Sequence, residues 1–277
     1  MNKRSLPSTV TLANGVKMPK IGLGVFKVEN EEELLTAVNA AIETGYRSID
    51  TASIYGNEEW VGKAIRQSGL NREKLFITSK VWNADQGYEK TLQAFNTSLE
   101  KMGMEYLDLY LIHWPVEGKY ADTWRALEEL YKEGRIKAIG VSNFQVHHLD
   151  KLLKTAEIKP MINQIELHPK LSQKELRCYA GQHDIKIEAW APLMQGGLLE
   201  NEILNGLAKK HGKSVAQIVL RWHLQNEIII IPKSTKAYRI KENADLFGFE
   251  LSDEDMNLID SLNEDLRVGP DPDHFDF

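Results

Sequence analysis

Asp50, Tyr55, Lys80 and His113 stand at, or just past, the ends of short apolar runs: RSIDTASIYG, LFITSKVW and LDLYLIHWP. Charged and aromatic groups placed where separate strands stop suit chemistry better than packing. The four make a coherent proton-transfer set. A tyrosine ordinarily ionises near pH ~10, too high for free proton exchange at neutrality. A lysine ammonium beside it favours the phenolate and lowers that pKa, and a carboxylate keeps the lysine charged and oriented. A histidine can hydrogen-bond a carbonyl oxygen beside the phenol, or help relay the proton. Such a site donates a proton to an oxygen that is becoming an alkoxide. The usual reaction of that type is reduction of an aldehyde or ketone. Singly, each residue has a plainer use: Asp50 as a loop cap, Tyr55 in surface packing, Lys80 in solvent, His113 in the core.

For residues so far apart to meet, strand ends must converge on one face. The repeating pattern is amphipathic helix, glycine, short β-rich run. Residues 31–44 are predicted helical, with Leu34, Leu35, Val38, Ala41 and Ile42 at helical spacing. Gly45 suits the C-terminal cap, and a strand follows over 46–50. The pattern recurs in TLQAFNTSLEKMG before LDLYLIHW, and in TWRALEELYKEG before IKAIGVSNF. Further strands are predicted over 75–79, 161–166, 185–190 and 228–231. With IGLG near Ile21 the count is about eight, that of a (β/α)₈ TIM barrel. Apolar strands such as LDLYLI suit a parallel sheet buried on both faces.

In that barrel Asp50 ends the second strand, Tyr55 lies in the loop after it, Lys80 ends the third and His113 the fourth. These strands are neighbours. A doubly wound sheet uses the same alternation, but its G-x-G-x-x-G fingerprint fails: Gly22 and Gly24 are followed by Val25, Phe26 and Lys27. Before the first barrel strand, VTLANGVKMP reads as a β-hairpin that could plug the barrel bottom. Asn14 and Gly15 would supply the two positive-φ residues of a type I′ turn. No linker or low-complexity stretch divides the chain, so one domain over 1–277 is expected.

The chain is 42% hydrophobic and 27% charged, an ordinary globular composition with ample apolar residue for a core. A formal charge of −6 argues against a general nucleic-acid or anionic-membrane partner. The lone cysteine, Cys178, excludes an internal disulfide, suits a reducing cytosol and is expected as a small buried hydrophobe. The start of the chain carries Lys3 and Arg4 without the apolar core of a signal peptide. The densest apolar run, IIII at 228–231, is strand-length rather than membrane-length. A soluble cytoplasmic protein is expected.

Against the acidic whole, IIIIPKSTKAYRIKENADLFGF stands out as an eighth strand, a loop and a helix. Lys233, Ser234, Thr235, Lys236 and Arg239 gather donors and positive charge at the helix N-terminus. Unpaired N–H groups and the dipole favour an anion there too. Arg239, one turn in, can grip a phosphate with two prongs and stack on an adenine. A solvated basic helix start is the plainer use, and a phosphate near the eighth strand is common to many barrel enzymes. Trp190 ends the seventh strand and could stack on a flat ring such as a nicotinamide. Phe26, Trp82 and Trp114 follow strands 1, 3 and 4 and could wall an apolar substrate pocket, or simply be core. A competing use of Lys80, as a Schiff-base nucleophile of an aldolase type, leaves Tyr55 and the basic segment without a purpose.

The stretches GYRSIDTASIYGNEEWVGKAI, LFITSKVW, DLYLIHWP, GKYADTWRALEELYKEGRIKAIGVSNF, INQIELHP and IPKSTKAYRIKEN together resemble the aldo-keto reductases. The resemblance is closest to the bacterial branch of 2,5-diketo-D-gluconate and glyoxal/methylglyoxal reductases, and runs from the hairpin to RVGPDPDHFDF. It implies a (β/α)₈ barrel that binds NADPH in extended form, without a Rossmann fold, and reduces small aldehydes, 2-oxoaldehydes and keto-sugars. Asp50, Tyr55, Lys80 and His113 would be the catalytic tetrad, with Tyr55 the general acid, Lys80 and Asp50 tuning it and His113 orienting the carbonyl.

Ser142 and Asn143 match the pair that holds the carboxamide, with Gln164 beside them, and Trp190 matches the nicotinamide-stacking position. Leu193 and Gln195 match the loop over the pyrophosphate. Lys233, Ser234, Thr235 and Arg239 match the group around the adenosine 2′-phosphate, and Asn243 the adenine contact. The resemblance also implies a monomer without a metal. Little sequence after Trp114 and a short C-terminal tail imply an open pocket of broad specificity. An NADPH-binding regulatory or redox-sensing protein of the same fold is the alternative, and the intact tetrad speaks against it.

Overall fold

The computed structural model describes Leu6 and residues 8–277; the basic start with Lys3 and Arg4 lies outside them. A hairpin of β1 (Thr9–Thr11) and β2 (Lys17–Pro19) comes first. The parallel strands follow as β3 (Gly22–Gly24), β4 (Ser48–Asp50), β5 (Phe76–Val81), β6 (Leu107–Ile112), β7 (Ile136–Ser142), β8 (Ile162–Glu166), β9 (Lys186–Trp190) and β10 (Ile229–Ile230). They pair in chain order as one eight-stranded sheet. Two isolated parallel bridges, Ile21 to Ile230 and Gly24 to Lys233, join its edges and close the barrel. The expected (β/α)₈ architecture is the one observed.

Helices α1 (Glu31–Thr44), α2 (Glu58–Gln67), α3 (Tyr88–Met102), α4 (Tyr120–Lys132), α5 (Val146–Leu153) and α6 (Lys174–Gln182) ring the first part of the barrel. They are followed by α7 (Glu202–His211), α8 (Val215–Gln225), α9 (Ala237–Ala244) and α10 (Asp253–Asp260). Helix α1 illustrates why they form. Asn30 caps it by accepting from Glu33 N–H at 3.0 Å, three glutamates fill its positive first turn, and Gly45 ends it at φ 114°. Leu34, Val38, Ala41 and Ile42 are buried as expected, but Ala37 takes the place given to Leu35, which is half-buried. Each such leucine, valine or isoleucine contributes roughly 1.5–3 kcal/mol by leaving water.

The hairpin lies at the strand N-termini, where its residues border Arg47, Phe76, Asp108 and Lys137. Met18 is fully buried there, and Asn14 Nδ2 donates to Lys137 O at 2.8 Å. The type I′ turn is corrected. Gly15 alone has positive φ, at 87°, and Gly15 N–H donates to Leu12 O at 2.8 Å. The loop is a type I turn over Ala13 and Asn14 followed by a left-handed glycine, the usual three-residue solution. Asn14 spends its side chain on the barrel floor instead of on positive φ.

Cys178 is also corrected: it is exposed on α6, off the buried stripe of Leu176 and Ala180. No described helix is long and apolar enough to cross a membrane.

Candidate active site

Asp50 and Lys80 reach the same point from adjacent strands. Asp50 pairs in register with Thr78, and Lys80 lies two residues further along β5, on the same face. Lys80 is fully buried, and its Nζ donates to Asp50 Oδ1 at 2.6 Å, Thr51 O at 2.9 Å and Tyr55 Oη at 3.5 Å. Three acceptors for three protons is what a buried ammonium needs.

Tyr55 is delivered by a 3₁₀ turn, Ser53–Tyr55, which Ser53 ties to Lys80 O at 3.0 Å. Asn57 anchors that loop by accepting from Thr51 Oγ1 at 2.7 Å and donating to Val25 O at 3.0 Å. His113 follows β6, and its ring stands edge-on to Tyr55 with centroids 5.7 Å apart. The structure therefore brings all four residues together.

Burial pushes the Tyr55 phenol up, Lys80 pulls it down and Asp50 pushes it up again, leaving it above its ordinary value of 10.0. The expected net lowering is thus corrected: inside the barrel, desolvation outweighs the ammonium. Burial works against the Lys80 charge, but Asp50 and Tyr55 more than compensate, so its pKa is raised. Burial, with Lys80 adding to it, drives His113 well below its usual 6.5. At neutral pH the trio is a phenol, an ammonium and a neutral imidazole whose Nδ1 has no partner among the described residues.

A second cluster continues along the next strand ends. Ser142 Oγ and Asn143 N–H both donate to Gln164 O, at 2.8 and 2.9 Å. Asn143 adopts a left-handed φ of 64°, donates from Nδ2 to His113 O at 2.9 Å and accepts the Trp190 indole at 2.8 Å. Gln164 Nε2 donates to Asp50 Oδ2 and to Glu188 Oε2, both at 2.8 Å. Burial, then Asp50, raises Glu188 to about 8. Sequence reasoning missed Glu188, because one acid in KIEAW reads as an outward residue of an alternating strand.

Half-exposed Phe26 packs on Tyr55 with ring centroids 4.9 Å apart, and Trp82 meets His113 edge-on at 5.2 Å. Trp114 is buried, and the C-terminal stretch supplies what faces it. Phe275 lies 5.2 Å from Trp114, and Phe277 stacks on Trp82 at 5.7 Å and meets Trp114 at 5.3 Å. Asp273 fixes that stretch through His147 Nε2 at 3.1 Å. Upstream, Glu166 accepts Val268 and Gly269 N–H at 2.6 and 3.1 Å, and a Cβ on Gly269 would come within 2.3 Å of the Trp190 ring. These tail contacts also escaped the sequence reading, since no periodicity marks them.

Leu193 is half-buried on the loop after β9, and Gln195 is exposed at φ 53°. The bridge of Lys233 to Gly24 sets the basic segment beside β3. Lys233 and Arg239 are exposed, Thr235 is half-buried, and Ser234 is buried with Oγ accepting Lys236 N–H at 3.1 Å. Asn243 is buried one turn beyond Arg239 on α9. Among the described residues, no carboxylate pairs with Lys233, Lys236 or Arg239, and no side chain caps α9.

The profile of the Aldo/keto reductase family matches residues 20–264. Glyoxal reductase of Bacillus subtilis (strain 168) is 66% identical over 273 residues, covering 99% of each chain. Methylglyoxal reductase DkgA of Escherichia coli (strain K12) is 47% identical over 273 residues, covering 97% of this chain and 98% of that one. Among solved structures, a single-site mutant of Gox0644 in complex with NADPH superimposes with a TM-score of 0.93 at 44% identity, covering 98% of this chain and 99% of that one. By sequence, barrel and site geometry together, the chain belongs to the aldo/keto reductase family.

Proposed function

We propose that this chain is an NADPH-dependent oxidoreductase that reduces small aldehydes, 2-oxoaldehydes such as glyoxal and methylglyoxal, and keto-sugars to alcohols. It acts as a monomeric single domain over 1–277 in the cytoplasm, where a lone exposed thiol is at home. The observation that carries the reading is the fully buried Lys80, held by Asp50 and facing Tyr55. Glyoxal reductase and methylglyoxal reductase DkgA, similar along almost the whole chain, support the 2-oxoaldehyde class.

The residues present fit NADPH. Lys233 and Arg239, without a carboxylate partner among the described residues, stand at the N-terminus of α9 and suit the 2′-phosphate, with Ser234 and Thr235 between them. Leu193 and Gln195 suit the pyrophosphate loop and Asn243 the adenine. Half-exposed Trp190 suits the nicotinamide face, with Ser142, Asn143 and Gln164 at its carboxamide. When bound, NADPH supplies the hydride that reduces the carbonyl carbon.

The chain's own residues handle the proton. Tyr55 Oη donates to the carbonyl oxygen as it gains charge. Lys80 stabilises the phenolate left behind, and Asp50 holds Lys80 in place. His113, neutral at physiological pH, offers a hydrogen bond to the same oxygen without competing as an acid. Phe26, Trp82 and Trp114 wall off an apolar approach to the pair.

Tyr55→Phe tests this reading. Methylglyoxal-dependent NADPH oxidation is expected to fall about a thousandfold while NADPH affinity stays within about twofold. Wild-type turnover in Tyr55→Phe would remove Tyr55 as the acid.

A further inference from the structure

Glu188 is a buried group of the site that takes no part in the proton transfer. It stands in β9 opposite Gln164 of β8, two residues before Trp190 and hence on the same face of the sheet. Its Oε2 accepts Gln164 Nε2 at 2.8 Å, and that nitrogen also donates to Asp50 Oδ2 at 2.8 Å. A primary amide has two N–H donors and one oxygen. Both donors of Gln164 are thus committed to carboxyl groups, and flipping the amide would turn its oxygen onto the Asp50 carboxylate, which can only accept. Oε1 is left as the atom that can accept from a ligand. Among the described residues Glu188 Oε1 is itself buried without a partner, which is unfavourable at a position that an apolar side chain could fill.

We propose that Glu188 is a positioning residue of the reductase site: with Asp50 it locks the Gln164 amide in one orientation, so that Oε1 receives the nicotinamide carboxamide. The proposal rests on the placing of Gln164 beside that carboxamide. The charged groups acting on Glu188 are Asp50 from β4 and Lys80 from β5. The Asp50 carboxylate, which can only accept, sets which way the amide faces, while Glu188, uncharged at neutral pH, gives the second amide N–H an acceptor without adding a second negative charge beside the Asp50–Lys80 pair. Its ionisation near pH about 8 adds that charge.

Two variants separate these effects. Glu188→Gln keeps an oxygen that can accept from Gln164; Glu188→Leu keeps bulk and removes it. NADPH affinity, followed by tryptophan quenching and by calorimetry, is expected to fall about tenfold in Glu188→Leu, with most of the loss recovered in Glu188→Gln. The pH profile of kcat with methylglyoxal should show an inflection near pH about 8 in the wild type that Glu188→Gln lacks. Wild-type affinity in Glu188→Leu overturns the proposal, as does a Glu188→Gln protein of normal melting temperature that recovers nothing. If Glu188→Leu does not fold, an unchanged pH profile in Glu188→Gln overturns it. Gln164→Ala distinguishes the underlying reading: wild-type NADPH affinity there means Gln164 does not meet the carboxamide. Impairment in Gln164→Ala beside a normal Glu188→Leu refutes only the role of Glu188.

Discussion

The indole N–H of Trp190 donates to Asn143 Oδ1 at 2.8 Å, tying the aromatic platform at the end of β9 to the polar residue after β7. Asn143 in turn donates to the main-chain oxygen of His113 at 2.9 Å. Trp190, Asn143 and the main chain of His113 are therefore one hydrogen-bonded unit, in which loosening one member disturbs the others.

Trp190→Phe keeps a ring but removes the N–H, leaving Asn143 Oδ1 unpaired. The net value of one such bond is about 1 kcal/mol. NADPH should bind roughly fivefold more weakly by calorimetry. Unchanged affinity would mean that the contact does not organise the site.

The raised pKa of Tyr55 sets the sign of the pH dependence. With Tyr55 as the proposed acid, reduction should need the phenol, whose proton stays available through neutrality and is lost only as pH rises beyond the ordinary tyrosine value of 10.0. Alcohol oxidation needs the phenolate and should accelerate over the same alkaline range. His113, lowered well below 6.5, adds no change of charge between neutrality and that limb. An activity loss centred near pH ~7 in Tyr55-dependent reduction would contradict this assignment.

Arg239 is exposed and has no carboxylate partner among the described residues. Arg239→Ala should weaken NADPH about tenfold or more and leave NADH nearly untouched, because NADH lacks the 2′-phosphate. Competitive titration of both dinucleotides decides it; equal losses would show that Arg239 does not read the phosphate.

Two glycines give opposite expectations for stability. A Cβ on Gly62 of α2 would sit 2.0 Å from Met102 O at the end of α3, so Gly62→Ala should destabilise by about 3 kcal/mol. A Cβ on Gly206 of α7 meets nothing within 4 Å, so Gly206→Ala should stabilise by roughly 0.5–1 kcal/mol. Denaturant titrations that rank the two the other way would contradict the close packing of α2 on α3.

Features carried by local pattern were legible in the sequence. The span of α1 and its Gly45 cap follow from period and capping chemistry, and the meeting of Asp50, Tyr55, Lys80 and His113 follows from reactive side chains at strand ends. Quantities set by tertiary surroundings were not. Whether Lys80 or desolvation dominates Tyr55 depends on how much water the barrel excludes. Cys178 looks like a core residue by type, yet helical phase puts it off the Leu176–Ala180 stripe. Glu188 and Phe277 matter through partners 24 and 194 residues away, Gln164 and Asn83, and no local signal announces such meetings.

The closure of the cylinder has a mechanical consequence. Strand β10 has two residues, and the joint to β3 is completed by the isolated bridges at Ile21 and Gly24. This seam is the place where the wall can part with least disruption, and Lys233 is itself one half of a bridge there. Parting the seam would displace Lys233, so a ligand gripping it and its neighbours would act as a clasp there. Its binding energy would then oppose parting of the wall, and amide exchange at residues 21–24, 229–231 and 233 is expected to slow in step with occupancy.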